Sequence, residues 1–396
     1  MNNKDIDVYK RLILHAGMPK TGTTTIQNTL YKCRDVLLAQ NKCLYPSIAA
    51  NHTNSICTIF MNHPERHIAN RMAGLAPGDE LARLQASYRE ALRKDMDTDN
   101  WDLCVISAEG VSNLNHDELG KIRDWFQNYC STARVLFYVR NPVDYTRSVI
   151  QQLLKGGEKL GDLYKNLPVP NFKGKISNAI QAFGRENVEI IDFHAASNSD
   201  GGLLGSFSDL LRFPPTIRKE LLDREVRENE SMSFSAAHIL DYINTKTPVF
   251  VDGKLSVLRT GLEQSMAQRI GGKKFDIPVV VQRLCYESTR DDVAWLNETF
   301  GTNLFQNDFV ERGKDVVPVS DFIDALHKIA TVMSEQLGAI AAMKACNEGI
   351  KALGRRDFGM ADALLERASG LAPSDRYVSE FRLRLEAAKQ KAQEAN

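Results

Sequence analysis

The sequence predicts an α/β protein in which a parallel sheet is flanked by helices and followed by an all-helical C-terminal extension. Three observations carry this. Four short apolar runs rich in β-branched and aromatic residues read as strands, at residues 12–15, 103–107, 135–139 and 188–193. Tens of residues with helical periodicity separate them, which rules out tight hairpins and suits crossovers between parallel strands. Beyond Val317 the strand signals stop, and alanine and leucine dominate.

The elements follow in chain order. The first strand runs into a glycine-bearing turn, after which Ile26, Leu30, Cys33 and Leu37 recur at three- and four-residue steps and mark one buried helical face. Strand, turn and helix in that order open a βαβ unit. The third strand runs into Arg140-Asn141-Pro142, where asparagine suits a helix cap and proline the first helical position. Gly201-Gly202 marks one surface loop and Pro214-Pro215 another. Neither divides domains, so residues 1–316 are expected to form one domain and residues 317–396 a helical extension. Within the extension, Phe358, Ala361, Leu364, Leu365 and Ala368 share a helical face between Gly354 and Pro373. That stretch resembles part of one tetratricopeptide helix pair, although no second copy is found, and a plain helical appendage is the alternative.

Composition narrows the function classes. The chain has 396 residues, 43% hydrophobic and 25% charged, in the range of ordinary globular proteins. Lysine plus arginine (50) equals aspartate plus glutamate (50), so no global positive field is available to hold a nucleic acid. The polar N-terminus precedes an apolar stretch too short for a signal-peptide core or a membrane span, and a cytoplasmic protein is expected. Seven scattered cysteines form no C-x-x-C pair, which predicts reduced, packed thiols and neither a zinc site nor a disulfide framework.

The chemistry shows first in His15-Ala16-Gly17-Met18-Pro19-Lys20-Thr21-Gly22-Thr23-Thr24-Thr25, between a strand and a helix start. Unpaired N–H groups at a helix N-terminus favour anions, and a glycine turn lets an anion approach them. The spacing of Gly17 and Gly22 matches a Walker A loop, but that loop carries lysine directly after its second glycine, where this chain has Thr23. The lysine is Lys20, inside the loop. A second anion site is expected where the strand ends at Arg140: an arginine fork suits phosphate oxygens, and Ser148, eight residues further along the helix, adds a hydroxyl.

Pro19-Lys20-Thr21-Gly22-Thr23-Thr24 resembles, at every position, the 5′-phosphosulfate loop of the sulfotransferase family, Pro-Lys-(Thr/Ser)-Gly-Thr-(Thr/Ser). Arg140-Asn141-Pro142 with Ser148 resembles the family's 3′-phosphate motif. Weaker echoes at Phe183-Gly184-Arg185-Glu186-Asn187-Val188, Asn229-Glu230-Ser231-Met232-Ser233 and Trp295-Leu296-Asn297-Glu298-Thr299-Phe300-Gly301 extend the resemblance over about residues 11 to 305. The resemblance implies a P-loop-type sheet and transfer of a sulfuryl group from 3′-phosphoadenosine 5′-phosphosulfate (PAPS) to an acceptor hydroxyl or amine, with a carbohydrate or glycolipid as first expectation. It implies that Lys20, Thr21, Gly22, Thr23, Thr24, Arg140 and Ser148 bind the donor, that Lys20 attends the leaving group, and that no metal is needed. For the general base, Glu109 is favoured because it lies just past a strand end, where open α/β sheets place their ligands. His15 within the first strand is the rival, and His52 in a polar stretch is a third candidate whose ordinary reading is a surface histidine. Two other classes stay open: a P-loop kinase, disfavoured by Thr23, and a non-catalytic scaffold with a protein partner on the C-terminal helices.

Overall fold

A computed structural model describes residues 10–226, 231–251, 254–255, 262–305 and 319–394. Val317, Pro318 and the Asn229-Glu230 pair of one family echo lie outside them. Strand β1 (Arg11–His15) leads into α1 (Thr23–Asn41), β2 (Cys43–Leu44), α2 (Thr53–Phe60), α3 (Ile68–Met72) and α4 (Asp79–Met96). Next come β3 (Leu103–Ser107), a 3-10 turn at Glu109–Asn113, α5 (His116–Phe126), β4 (Thr132–Val139), α6 (Pro142–Lys155), α7 (Leu160–Lys165), α8 (Phe172–Phe183) and β5 (Val188–Asp192). The chain continues through α9 (Phe193–Ser197), α10 (Gly202–Leu210), α11 (Pro215–Asp223), α12 (Phe234–Lys246), the two-residue strands β6 (Phe250–Val251) and β7 (Lys254–Leu255), α13 (Leu262–Arg269) and α14 (Val279–Phe300). It ends in α15 (Val319–Gly354), α16 (Phe358–Leu371) and α17 (Arg376–Glu394).

The fold is mixed α/β, with a five-stranded sheet in the order β2-β3-β1-β4-β5 and every adjacent pair parallel. Alternation of side chains along each strand divides the core in two. Leu12, Leu14, Cys104, Ile106, Val135 and Phe137 join one apolar cluster, while Ile13, Val105, Leu136 and Tyr138 join the other with Ile26, Leu30, Cys33 and Leu37 of α1. Both faces are therefore covered, as the near-continuous apolar strands require. Register places His15 opposite Ser107 on one side and Leu136 on the other, and β4 runs three residues beyond that level to Val139. The loop leaving β1 rises beside this overhang, anchored where Ala16 N–H donates to Leu136 O and Ala108 N–H to His15 O.

The chain separates into two compact units, residues 1–231 with 276–315, and residues 232–275 with 316–396. The first holds the sheet. The second groups residues 232–275 with the C-terminal helices, a division other than the single cut at 316/317 expected from the sequence. In it Ala342, Ala345, Cys346, Ala361, Leu364, Ala368, Val378 and Phe381 form a core of their own among α15, α16 and α17. Gly349 lets the ring of Phe381 approach so closely that a Cβ would stand 2.1 Å from Cζ. All seven cysteines are buried and unpaired with one another. No helix among the described residues is long and apolar enough to cross a membrane.

Candidate active site

The loop of residues 16–22 is shaped by backbone conformation. Gly17 at φ +45° and Gly22 at φ +71° adopt left-handed geometry, and neither has room for a side chain: a Cβ would stand 2.5 Å from Thr23 Cγ2 and 2.4 Å from Leu203 Cδ2, respectively. Gly22 is the N-cap of α1 and offers no side-chain acceptor to the helix. Thr25 and Ile26 N–H turn back to the Gly22 carbonyl, and the N–H groups before them have no intrahelical acceptor. The result is a concave, electropositive backbone suited to a phosphate or sulfate. Thr21 is buried with its hydroxyl donating to Met18 O (2.6 Å), so that hydroxyl braces the turn. Thr24 is exposed at the first turn.

Lys20 is a non-glycine residue at φ +65°, a conformation costing an L-residue roughly 1–2 kcal/mol. What holds it is the second motif: Arg140 Nη1 donates to the Lys20 carbonyl at 2.8 Å. Arg140 therefore reaches the loop directly. Its guanidinium also lies over the Phe193 ring at 5.1 Å, and burial draws its pKa down while Asp144 opposes the shift. Asn141 caps α6, its side chain accepting from Val143 N–H (3.0 Å), with Pro142 at the first position. Ser148 is half-buried two turns along the same helix. Arg147 beside it is occupied by Asp144 (2.5 Å) and Asp276 (3.3 Å).

Glu109 opens the turn after β3 and accepts from Thr23 Oγ1 at 2.7 Å, so the candidate base touches the loop as well. Two residues that the sequence reading did not single out complete its surroundings. Lys175 of α8 has its pKa lowered by desolvation, with the charge of Glu109 pulling the other way. The Tyr145 phenol is pushed up to about 12 by burial and then by the same carboxylate. No local motif marks either, since α6 and α8 reach Glu109 only through the tertiary fold. Beside Glu109 opens a cleft of about 350 Å³, walled by α2, the 3-10 turn after β3 and the segment 66–68.

One of the two candidate histidines differs from its sequence reading. His52 is not at the surface. It is fully buried, Nε2 lies 3.1 Å from Pro46 O, and Nδ1 accepts the Ser107 N–H at 3.1 Å. Both nitrogens are thus engaged in joining the segment before α2 to the end of β3. His15 is also fully buried, with Nδ1 2.8 Å from Ser107 Oγ and its ring against Tyr138 and Phe207. Its Nε2 has no hydrogen-bond partner among the described residues. Desolvation lowers each pKa to about 4, which keeps both rings neutral at neutral pH. Neither presents a nitrogen to the cleft. Among the described residues no group of three His, Cys, Asp or Glu side chains is placed to hold a metal ion.

No family model matches the chain, and no curated protein does. Among solved structures, a sulfotransferase from Alicyclobacillus acidocaldarius is similar at a TM-score of 0.41 and 12% identity, over 74% of this chain and 96% of that one. A likeness of that size assigns neither fold nor activity to this chain.

Proposed function

We propose that this chain is a sulfotransferase that moves a sulfuryl group from PAPS to an acceptor hydroxyl or amine, with a carbohydrate or glycolipid as the acceptor class. The observation that carries the reading is the single hydrogen bond from Arg140 to the Lys20 carbonyl. It ties a phosphosulfate-type loop to a 3′-phosphate-type arginine, a pairing that a nucleotide with phosphates at both 3′ and 5′ positions calls for. In this reading the loop amides and the Thr24 hydroxyl hold the 5′ end, and Arg140 with Ser148 holds the 3′-phosphate.

Positioning and electrostatics dominate such a transfer. Glu109 takes the acceptor proton, held in orientation by Thr23 Oγ1. The acceptor oxygen or nitrogen bonds to sulfur, the sulfur–oxygen bond to the 5′-phosphate breaks, and the bisphosphate departs with its electron pair. Lys20 offers an ammonium to the charge gathering there. Lys175 adds a second cation near Glu109. The kinase alternative is disfavoured because Thr23 occupies the Walker lysine position and gives its hydroxyl to a carboxylate.

The test is mass spectrometry of candidate glycans incubated with PAPS or with ATP. A gain of SO3 from PAPS alone supports the reading. Phosphorylation from ATP, or no transfer together with equal affinity for ATP and adenosine 3′,5′-bisphosphate, sinks it.

A further inference from the structure

We propose that the cleft beside Glu109 is an acceptor site for an amphiphile, with a hydroxylated head at Glu109 and an apolar tail laid along α2 toward α3. The proposal rests on the sulfotransferase reading above, which supplies the role of Glu109. Thr53 and Cys57 stand one turn apart on one face of α2, Met61 is the residue that caps its C-terminus, and all three line the cleft. The cleft therefore follows the helix from its N-terminal to its C-terminal end, about 12 Å at 1.5 Å per residue.

Its two ends differ in chemistry. At the N-terminal end Thr53 Oγ1 accepts the Gly110 N–H at 3.2 Å, directly after Glu109, and Asn51 and Asn113 stand in the same wall. This end is also rigid: a Cβ on Gly110 would meet Thr53 Cγ2 at 2.4 Å and Cys57 Sγ at 3.0 Å. At the far end the wall turns to Met61 and Ile68. Ile68 is 60% exposed, and Met72, one turn along the same short helix, is 78% exposed. An exposed isoleucine in the wall of a cleft, with a second exposed apolar side chain one turn further along its helix, is the informative exception to ordinary burial.

A second sugar ring at that end would need hydrogen-bonding side chains, and Cys57, Met61 and Ile68 provide none of weight. Arg66 lines the rim, with its Nε 3.9 Å from Glu65. Beside Ile68 in the same wall, His67 Nδ1 is buried without a hydrogen-bond partner among the described residues and suits a polar group of the ligand. The cleft volume, about 350 Å³, falls at the small end of ligand sites and matches one ring with a short chain rather than an oligosaccharide.

The experiment is calorimetry on the full chain saturated with adenosine 3′,5′-bisphosphate, titrated with methyl, butyl and hexyl β-D-glucoside. Affinity is expected to rise with chain length, by up to about fourfold per methylene. Met61→Ser and Ile68→Ser should flatten that slope. Ile68→Leu should retain it, which separates a lost contact from a damaged fold. A flat series in the native protein, an unbound hexyl glucoside, or a slope unchanged by both serine variants overturns the proposal. The slope is read without turnover, so a cleft that fails while sulfuryl transfer succeeds is distinguished from the reverse.

Discussion

Replacing Arg140 by alanine removes two interactions that nucleotide binding can separate. One N–H, on Nη1, is committed to the Lys20 carbonyl at 2.8 Å, and Lys20 sits at φ +65°. A hydrogen bond from a charged donor is worth about 1.5–3 kcal/mol, comparable to the roughly 1–2 kcal/mol that the left-handed conformation costs. Losing it loosens the loop and weakens any nucleotide that uses the loop, whatever its 3′ substituent. In the proposed function the other donors of the fork serve the 3′-phosphate. Losing one such contact removes another 1.5–3 kcal/mol or so, a factor of roughly 10 to 150 in affinity, from the 3′-phosphorylated nucleotide alone. Calorimetry with adenosine 3′,5′-bisphosphate and adenosine 5′-phosphate reads both effects. The native chain should prefer the bisphosphate, and Arg140→Ala should cut that preference by the stated factor on top of a common loss. Arg140→Lys should recover only part of it, because an ammonium lacks the fork. If both nucleotides weaken in parallel, Arg140 only braces the loop and the 3′-phosphate is bound elsewhere.

Three further outcomes are expected. Lys20→Ala should slow turnover with every acceptor, whereas Glu109→Gln should cost on the order of a hundredfold with a sugar hydroxyl and less with an acidic phenol, and near-normal turnover of Glu109→Gln on sugar would move the base elsewhere. The folded-state pKa values of His15 and His52, about 4 against an unfolded 6.5, mean that the unfolded chain protonates first as pH falls. Stability is therefore full above about pH 6.5 and declines toward pH 4, by up to about 3 kcal/mol per histidine; urea unfolding of His52→Asn across that window should show a shallower decline, and an identical slope would refute it. Ending the chain at residue 318 removes α15 to α17, and α12 and α13 pack against α15, so hydrogen exchange should show residues 232–275 losing protection while bisphosphate binding persists. Lost bisphosphate binding would show that the donor site is not confined to the first unit.

The parts of the fold legible in the sequence are those fixed by local pattern. The four apolar runs are β1, β3, β4 and β5, the first three largely buried and apolar, the edge strand β5 half-buried and ending at Asp192 because Phe193 opens α9, and α1 buries the four residues its periodicity marks. Strand β2 escaped because two residues, Cys43 and Leu44, carry no alternation to read. Residues 232–275 gave no boundary signal because their partners lie far along the chain. At the site, the loop and Arg140 were legible as motifs. The engagement of His52 with Pro46 and Ser107 was not, because a polar stretch of sequence reads as surface and Ser107 lies 55 residues away in the chain. Lys175 and Tyr145 were invisible for a similar reason: nothing near them in the chain announces a carboxylate brought in from the turn after β3.

The overhang of β4 past β1 acts as a ruler. Arg140 reaches the Lys20 carbonyl because β4 continues three residues beyond the level of His15 before the helix cap at Asn141. Each strand residue adds about 3.3 Å and reverses the facing of the side chain. One residue deleted between Leu136 and Arg140 would draw the guanidinium back by that distance and turn it to the opposite face of the sheet, with every motif residue still present. Homologues that keep the chemistry should therefore vary freely in the identity of residues 137–139 as long as they stay apolar, and hardly at all in their number.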